Sequence, residues 1–81
     1  MRQLFDVIEV QARADQTLLL TFENGVRRIF NMSKCLNKKP FTKLKDSPLF
    51  FCAKIENGTV IWPGNIDIDP ETLWEESLDI E

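Results

Sequence analysis

The chain has no histidine and no tyrosine, only two cysteines and three glycines among its 81 residues, and no long apolar run. The missing histidine removes Ser-His-Asp and Cys-His catalysis, histidine proton shuttling and the commonest zinc sites together. Cys35 and Cys52 are too few for a disulfide framework and too far apart for a Cys-x-x-Cys motif, so both are expected as free thiols packed as small buried residues. The longest apolar stretches, Leu18-Leu19-Leu20 and residues 49–53, are far too short to cross a bilayer, and no basic segment followed by an apolar one opens the chain. No membrane contact and a cytoplasmic location are expected.

What is present is a chain that is 43% hydrophobic, with six Phe and two Trp to fill a small core. One domain over residues 1–81 is expected. A chain of this length buries only a little more than roughly 60% of its unfolded surface, so self-association is one way to strengthen it.

The net charge of −3 hides a segregation. Residues 27–45 carry Arg27, Arg28, Lys34, Lys38, Lys39, Lys43 and Lys45 with no acid, and residues 65–81 carry Asp67, Asp69, Glu71, Glu75, Glu76, Asp79 and Glu81 with no base. Such blocks can be two solvated faces lying side by side, can meet across two copies of a homodimer, or can leave the basic block to bind nucleic acid or an acidic protein surface.

The apolar pattern reads as strands joined by tight turns. Residues 4–13 alternate, with Ile8, Val10 and Ala12 on one side, and residues 17–23 alternate again with Leu18, Leu20 and Phe22 together. Asn24-Gly25 predicts a two-residue type I′ turn into a third strand, pairing Glu23 with Val26, Leu20 with Ile29 and Leu19 with Phe30. That register leaves apolar side chains on both faces, so the second face needs a cover from a helix, the other hairpin or a partner. Asn57-Gly58 predicts a second hairpin with Ile55 opposite Val60. Asn31 is placed to cap one or two helical turns ending near Lys38 and Lys39, Pro48 to open another with Leu49, Phe50 and Phe51 packing from it, and Asp69-Pro70-Glu71 to open a last helix. Leu73, Trp74, Ser77 and Leu78 would form that helix's inward stripe. The expected fold is α+β: a small antiparallel sheet built from an N-terminal strand and two Asn-Gly hairpins, with two or three short helices.

Several segments in order carry a resemblance: Leu18-x-x-Thr21-Phe22-Glu23-Asn24-Gly25, Phe30-Asn31-Met32-Ser33, Phe41-x-x-Leu44-Lys45-Asp46 with Phe50, Ile55-Glu56-Asn57-Gly58-Thr59-Val60-x-Trp62-Pro63, and residues 66–73. Together they resemble the domain of unknown function 2442 family, a bacterial family of small α+β domains. Some relatives carry a further helix-turn-helix domain that would bind DNA; the chain ends at Glu81, so that property is not expected here. The resemblance implies a neighbour of the domain of unknown function 4160 family in an arrangement like a toxin–antitoxin pair, and no catalytic residues. Asn65 stands where relatives usually have Gly, and Asn tolerates the positive φ that the turn requires.

Candidate chemistry is thin. Asn65, Asp67, Asp69 and Glu76 stand at calcium-loop spacing, but Pro70 occupies the position where such a loop needs Gly, and Asp69-Pro70 is better explained as a helix cap. Asp67 and Asp69 as an acid–base pair lack any oxyanion stabiliser. The expectation is a non-enzymatic protein–protein interaction module with no cofactor. Its candidate contact residues are Arg27, Arg28, Lys38 and Lys39 of the basic block and Trp74 and Glu75 of the last helix. A nucleic-acid-binding accessory domain using the basic segment is the alternative, weakened by the acidic pI of about 4.9.

Overall fold

The computed structural model describes residues 5–80. Its elements in chain order are β1 (Val7–Ala12), β2 (Thr17–Phe22), β3 (Arg27–Asn31), two 3-10 turns (Phe41–Leu44 and Pro48–Cys52), β4 (Lys54–Glu56), β5 (Thr59–Trp62), β6 (Ile66–Asp67), α1 (Pro70–Glu76) and β7 (Leu78–Asp79). The class is α+β. The strands form two antiparallel sheets rather than one, ordered β1-β2-β3-β7 and β4-β5-β6, and one α-helix is present among the described residues.

β2 and β3 show how one turn sets a register. The observed partners are Leu18 with Phe30, Leu19 with Ile29, Leu20 with Arg28 and Thr21 with Arg27, one residue away from the pairing expected for a two-residue turn. The Phe22 N–H donates to Val26 O and the Gly25 N–H donates to Phe22 O, so the loop holds three residues and closes with Gly25 at φ 86. That is a type I turn followed by a left-handed glycine. Asn24 Oδ1 accepts from the Val26 N–H at 3.1 Å, which uses the Asn side chain to hold the turn. A one-residue slip exchanges faces, so Phe30 turns inward beside Leu18 while Ile29 and Leu19 turn outward.

The second hairpin contains the same Glu-Asn-Gly and turns differently. Asn57 and Gly58 both have positive φ, 53 and 78, and Glu56 lies opposite Thr59 and Ile55 opposite Val60, the register of a two-residue turn. After Trp62, Gly64 and Asn65 both take positive φ, 92 and 62, so Asn65 holds the left-handed backbone expected of it.

The two hairpins meet at the start of β1. The Glu23 N–H donates to Asp6 O at 2.8 Å and the Val7 N–H donates to Gly58 O at 3.0 Å, so neighbouring residues are tied to both turns. The β1–β2 register shifts between Val7 and Glu9, a bulge that leaves Val7 1% and Ile8 52% exposed. Val7, not Ile8, therefore shares the inward side with Val10 and Ala12. The expected start of this strand at Leu4 lies outside the described residues.

Other expectations change with the structure. Asn31 Oδ1 accepts from the Ser33 N–H at 2.9 Å as a cap would, but residues 33–37 form successive turns instead of a helix. Ser47 Oγ accepts from the Leu49 N–H at the start of the Pro48 turn, yet of the three apolar residues there only Phe50 is buried. Leu49 and Phe51 are 41% and 56% exposed, because adjacent residues on a turn of three per revolution cannot all face inward. Cys52, at the end of the same turn, is exposed as well. Asp69 caps α1 by accepting from the Glu71 N–H at 3.0 Å, but the helix ends at Glu76, and Leu78 pairs with Ile29 in β7 instead of continuing the helical stripe.

One core joins these parts: Leu18, Leu20, Phe22 and Phe30 from the larger sheet, Val60, Trp62 and Ile66 from the smaller, Leu73 from α1, and Leu36, Leu44 and Phe50 from the segment between. Full burial of each such side chain is worth about 1.5–3 kcal/mol against exposure. Trp62 Nε1 donates to Phe50 O at 3.0 Å, so its one polar atom is satisfied inside that core.

Gly25 and Gly58 both need left-handed backbone, but a Cβ on Gly25 would meet open space while one on Gly58 would collide with the Asp6 side chain. Gly25→Ala is expected to cost about 1–2 kcal/mol from backbone strain alone, and Gly58→Ala clearly more. Urea denaturation of the two variants measures the difference; equal losses would mean that Asp6 moves aside freely.

Candidate protein-binding face

The expected contact residues do not form one patch. Arg27 and Arg28 are adjacent in β3, so their side chains leave opposite faces of the sheet. Arg27 is exposed on the outer face. Arg28 is half-buried on the inner face, where its Nε donates to Ser77 Oγ and its Nη2 to Ser77 O, both at 2.6 Å, and its guanidinium lies 4.8 Å from the Trp74 ring centroid. Ser77, itself 3% exposed, donates its hydroxyl to Trp74 O at 3.1 Å. Trp74 is half-buried and stacks edge-on against Phe22 at 4.9 Å and tilted against Phe5 at 5.6 Å. Arg28 and Trp74 thus fasten the end of α1 to the larger sheet, while Glu75 is exposed on that helix.

The opposite charge blocks meet within one chain. Lys34 Nζ lies 2.9 Å from Glu76 Oε1, and Arg28 is the strand partner of Asp79. The hydrogen bond to Lys34 holds the Glu76 carboxyl below the usual carboxylate range, and the same bond raises the Lys34 ammonium. Both side chains are about half exposed, so the pair is screened and weak. Lys45 Nζ donates to Asn37 Oδ1 at 2.9 Å, and Lys38 and Lys39 are exposed on the same connecting segment.

A cleft that none of the expected residues marks lies beside this segment. Its volume is about 350 Å³, and it is lined by Arg13, Ala14 and Gln16 from the β1–β2 turn, by Leu36, Leu44, Asp46 and Ser47, and by Pro48, Phe50 and Phe51. Leu36, Leu44 and Phe50 are almost fully buried and form an apolar floor, while Phe51 stands exposed with its ring 5.4 Å from that of Phe50. Gln16 and Asp46, on its walls, hold left-handed backbone at φ 68 and 53. Non-glycine residues there carry strain of order 1–3 kcal/mol and must be fixed by their surroundings; Gln16 O accepts from the Met32 N–H at 2.9 Å. The sequence signal for this cleft was Phe50-Phe51 after Pro48, where two neighbouring rings cannot both enter the core.

The cleft offers binding more readily than chemistry. Ser47 Oγ already accepts the cap hydrogen bond from Leu49, and no histidine exists in the chain to activate it. Burial pushes the Cys35 thiol up, away from the reactive thiolate. The calcium-spaced residues are occupied otherwise, Asp69 in the helix cap and Glu76 with Lys34. Among the described residues no helix is long and apolar enough to cross a membrane.

The family model described as protein of unknown function (DUF2442) matches residues 7–79. The chain belongs to this family. No curated protein and no solved structure matches it. Within the family motif, Phe22 packs on Trp74, Asn24-Gly25 and Asn57-Gly58 make the two turns, and Phe50 takes the Trp62 hydrogen bond on its carbonyl. The matched motif residues are thus largely those that hold the fold.

Arg28→Ala is expected to lower stability by about 2 kcal/mol, since a charged donor and its partners are lost together. Arg28→Lys should recover little, because an ammonium cannot reproduce the planar fork. Denaturation followed by Trp fluorescence measures both; a full rescue by Lys would mean that charge alone matters at this position. For the exposed pair, the Glu76 contribution is present at neutral pH and fades as pH falls through its depressed folded value, while that of Lys34 fades only as pH rises through its raised one. The melting-temperature gap between wild type and Glu76→Gln should therefore close in acid.

Proposed function

We propose that this chain is a non-enzymatic protein–protein interaction module whose cleft beside Phe51 receives an apolar side chain of an acidic partner segment. The observation that carries the reading is the exposure of Phe51 over a floor of Leu36, Leu44 and Phe50. Large exposed apolar side chains around a concave apolar floor are the composition of an interface anchor site. Arg13 lines the cleft, and Lys45 is anchored to Asn37 next to the floor residue Leu36. These cations, with Lys38 and Lys39 exposed on the same connecting segment, outnumber the Asp46 carboxylate on the cleft wall and favour a partner segment bearing acids around its anchor.

The family resemblance supplies a partner class, a small protein of the domain of unknown function 4160 family, with this chain as one member of a toxin–antitoxin-like pair. The nucleic-acid alternative needs a continuous basic track. It loses Arg28 to the Ser77 contact and Lys34 to Glu76, and Arg27 leaves the opposite face of β3 from Arg28.

Light scattering of the chain mixed with the 4160-family protein encoded beside it tests the proposal. The expected result is a complex of the summed masses, lost with Phe51→Asp and weakened by Lys38→Glu with Lys39→Glu. Absence of a complex, or one indifferent to Phe51→Asp, would overturn it. So would a mobility shift of DNA or RNA that disappears in the double lysine variant.

A further inference from the structure

The face of the larger sheet turned away from the core has a charge and apolar pattern that fits itself. Directly paired residues of an antiparallel sheet project to the same side, so the registers place Gln11, Leu19, Ile29 and Leu78 in one outward row across all four strands. Beside it runs a second row of Glu9, Thr21 and Arg27. Leu19 and Ile29 are half-buried and Leu78 is 73% exposed, leaving an apolar band across a sheet whose other side is filled by the core. Glu9, Gln11, Leu19, Thr21 and Arg27 surround one shallow depression of about 140 Å³, as side chains that share a face must.

We infer that this face binds a second copy of the chain through a two-fold axis lying along β2. Glu9 and Arg27 stand one strand to either side of Thr21, at strand spacings of about 4.8 Å. Rotation about β2 exchanges the β1 and β3 positions. It brings Glu9 of each copy over Arg27 of the other, twice, and sets Leu19 against Leu19 on the axis. Leu78 of each copy, level with Leu19 and Ile29, is carried to the β1 edge of the other beside Gln11. An isologous interface requires a surface complementary to itself, and opposite charges equidistant from a central apolar residue satisfy that requirement. The charge pattern therefore selects a second copy over an unrelated partner. Two sheets stacked in this way follow the aligned packing of β-sandwiches.

This surface is separate from the cleft beside Phe51, so either reading can fail alone. Sedimentation equilibrium of the isolated chain over a concentration series tests the dimer. The expected result is a reversible dimer that Leu19→Lys converts to monomer with unchanged far-ultraviolet circular dichroism. Glu9→Arg and Arg27→Glu should each raise the dissociation constant roughly tenfold, and the two together should restore it. The doubly reversed variant decides the matter even if Leu19→Lys fails to fold. A wild-type chain that stays monomeric throughout the series, or a dimer in which the double reversal binds no better than either single change, would overturn the inference.

Discussion

The turn at residues 22–26 is the constraint on which the larger sheet depends. With three residues in the loop and Gly25 left-handed, Leu20 faces Arg28 and Leu18 faces Phe30. That single registration puts Phe30 into the core, and it also sends a guanidinium inward. A half-buried cation is costly unless it is hydrogen-bonded, and Ser77 supplies both a hydroxyl and a carbonyl to it. The position of α1, the burial of Trp74 and the pairing of β7 with β3 all follow from where Arg28 points. A two-residue loop would have turned Arg28 outward and removed the anchor of the C-terminal segment.

A second constraint ties the two sheets. Asp6 and Val7 accept and donate one backbone hydrogen bond each to the two hairpins, and Gly58 has no side chain where Asp6 approaches. The bulge at Ile8 follows from this double duty. β1 must pair with β2 along most of its length while Val7 reaches the turn of the second hairpin, and one extra residue accommodates the change of direction. The two sheets share one core, with Phe22, Val60, Trp62 and Leu73 buried together, and this makes them one unit.

Much of this was legible in the residues. The alternation of Leu18, Leu20 and Phe22, the Ile55–Val60 pairing, the Ser47-Pro48 and Asp69-Pro70 starts and the burial of Trp62 are local signals, and each stands in the structure. The β2–β3 register was not legible, because Asn-Gly serves two turn types. In Asn57-Gly58 both residues take positive φ, whereas around Gly25 only the glycine does. Asn24 accepts locally from the Val26 N–H in the longer loop, but what favours that register is tertiary, the burial of Phe30 beside Leu18. β7 escaped for a related reason. Leu78-Asp79 can continue a helix or alternate as a strand, and the end of α1 at Ser77, whose backbone is extended at φ −87 and ψ 163, decides between them.

The charge blocks show why a sequence pattern and a surface are different things. Seven bases in residues 27–45 suggest a single patch, but β-strand alternation parts Arg27 from Arg28, and the fold commits Lys34 and Arg28 to the C-terminal segment. What remains outside falls on two surfaces. Lys38 and Lys39 are exposed on the connecting segment that also supplies Leu36 to the cleft, where Arg13 of the β1–β2 turn stands with Phe51. Arg27 lies with Glu9 and Leu19 on the open sheet face. A cation beside an apolar hollow favours an anion that brings its own apolar anchor, whereas a cation and an acid set one strand to either side of β2 make a face complementary to its own rotated copy. The same residue type thus stands in two different surroundings, and the register set at Gly25 determines that Arg27 shares its face with Glu9 and Leu19.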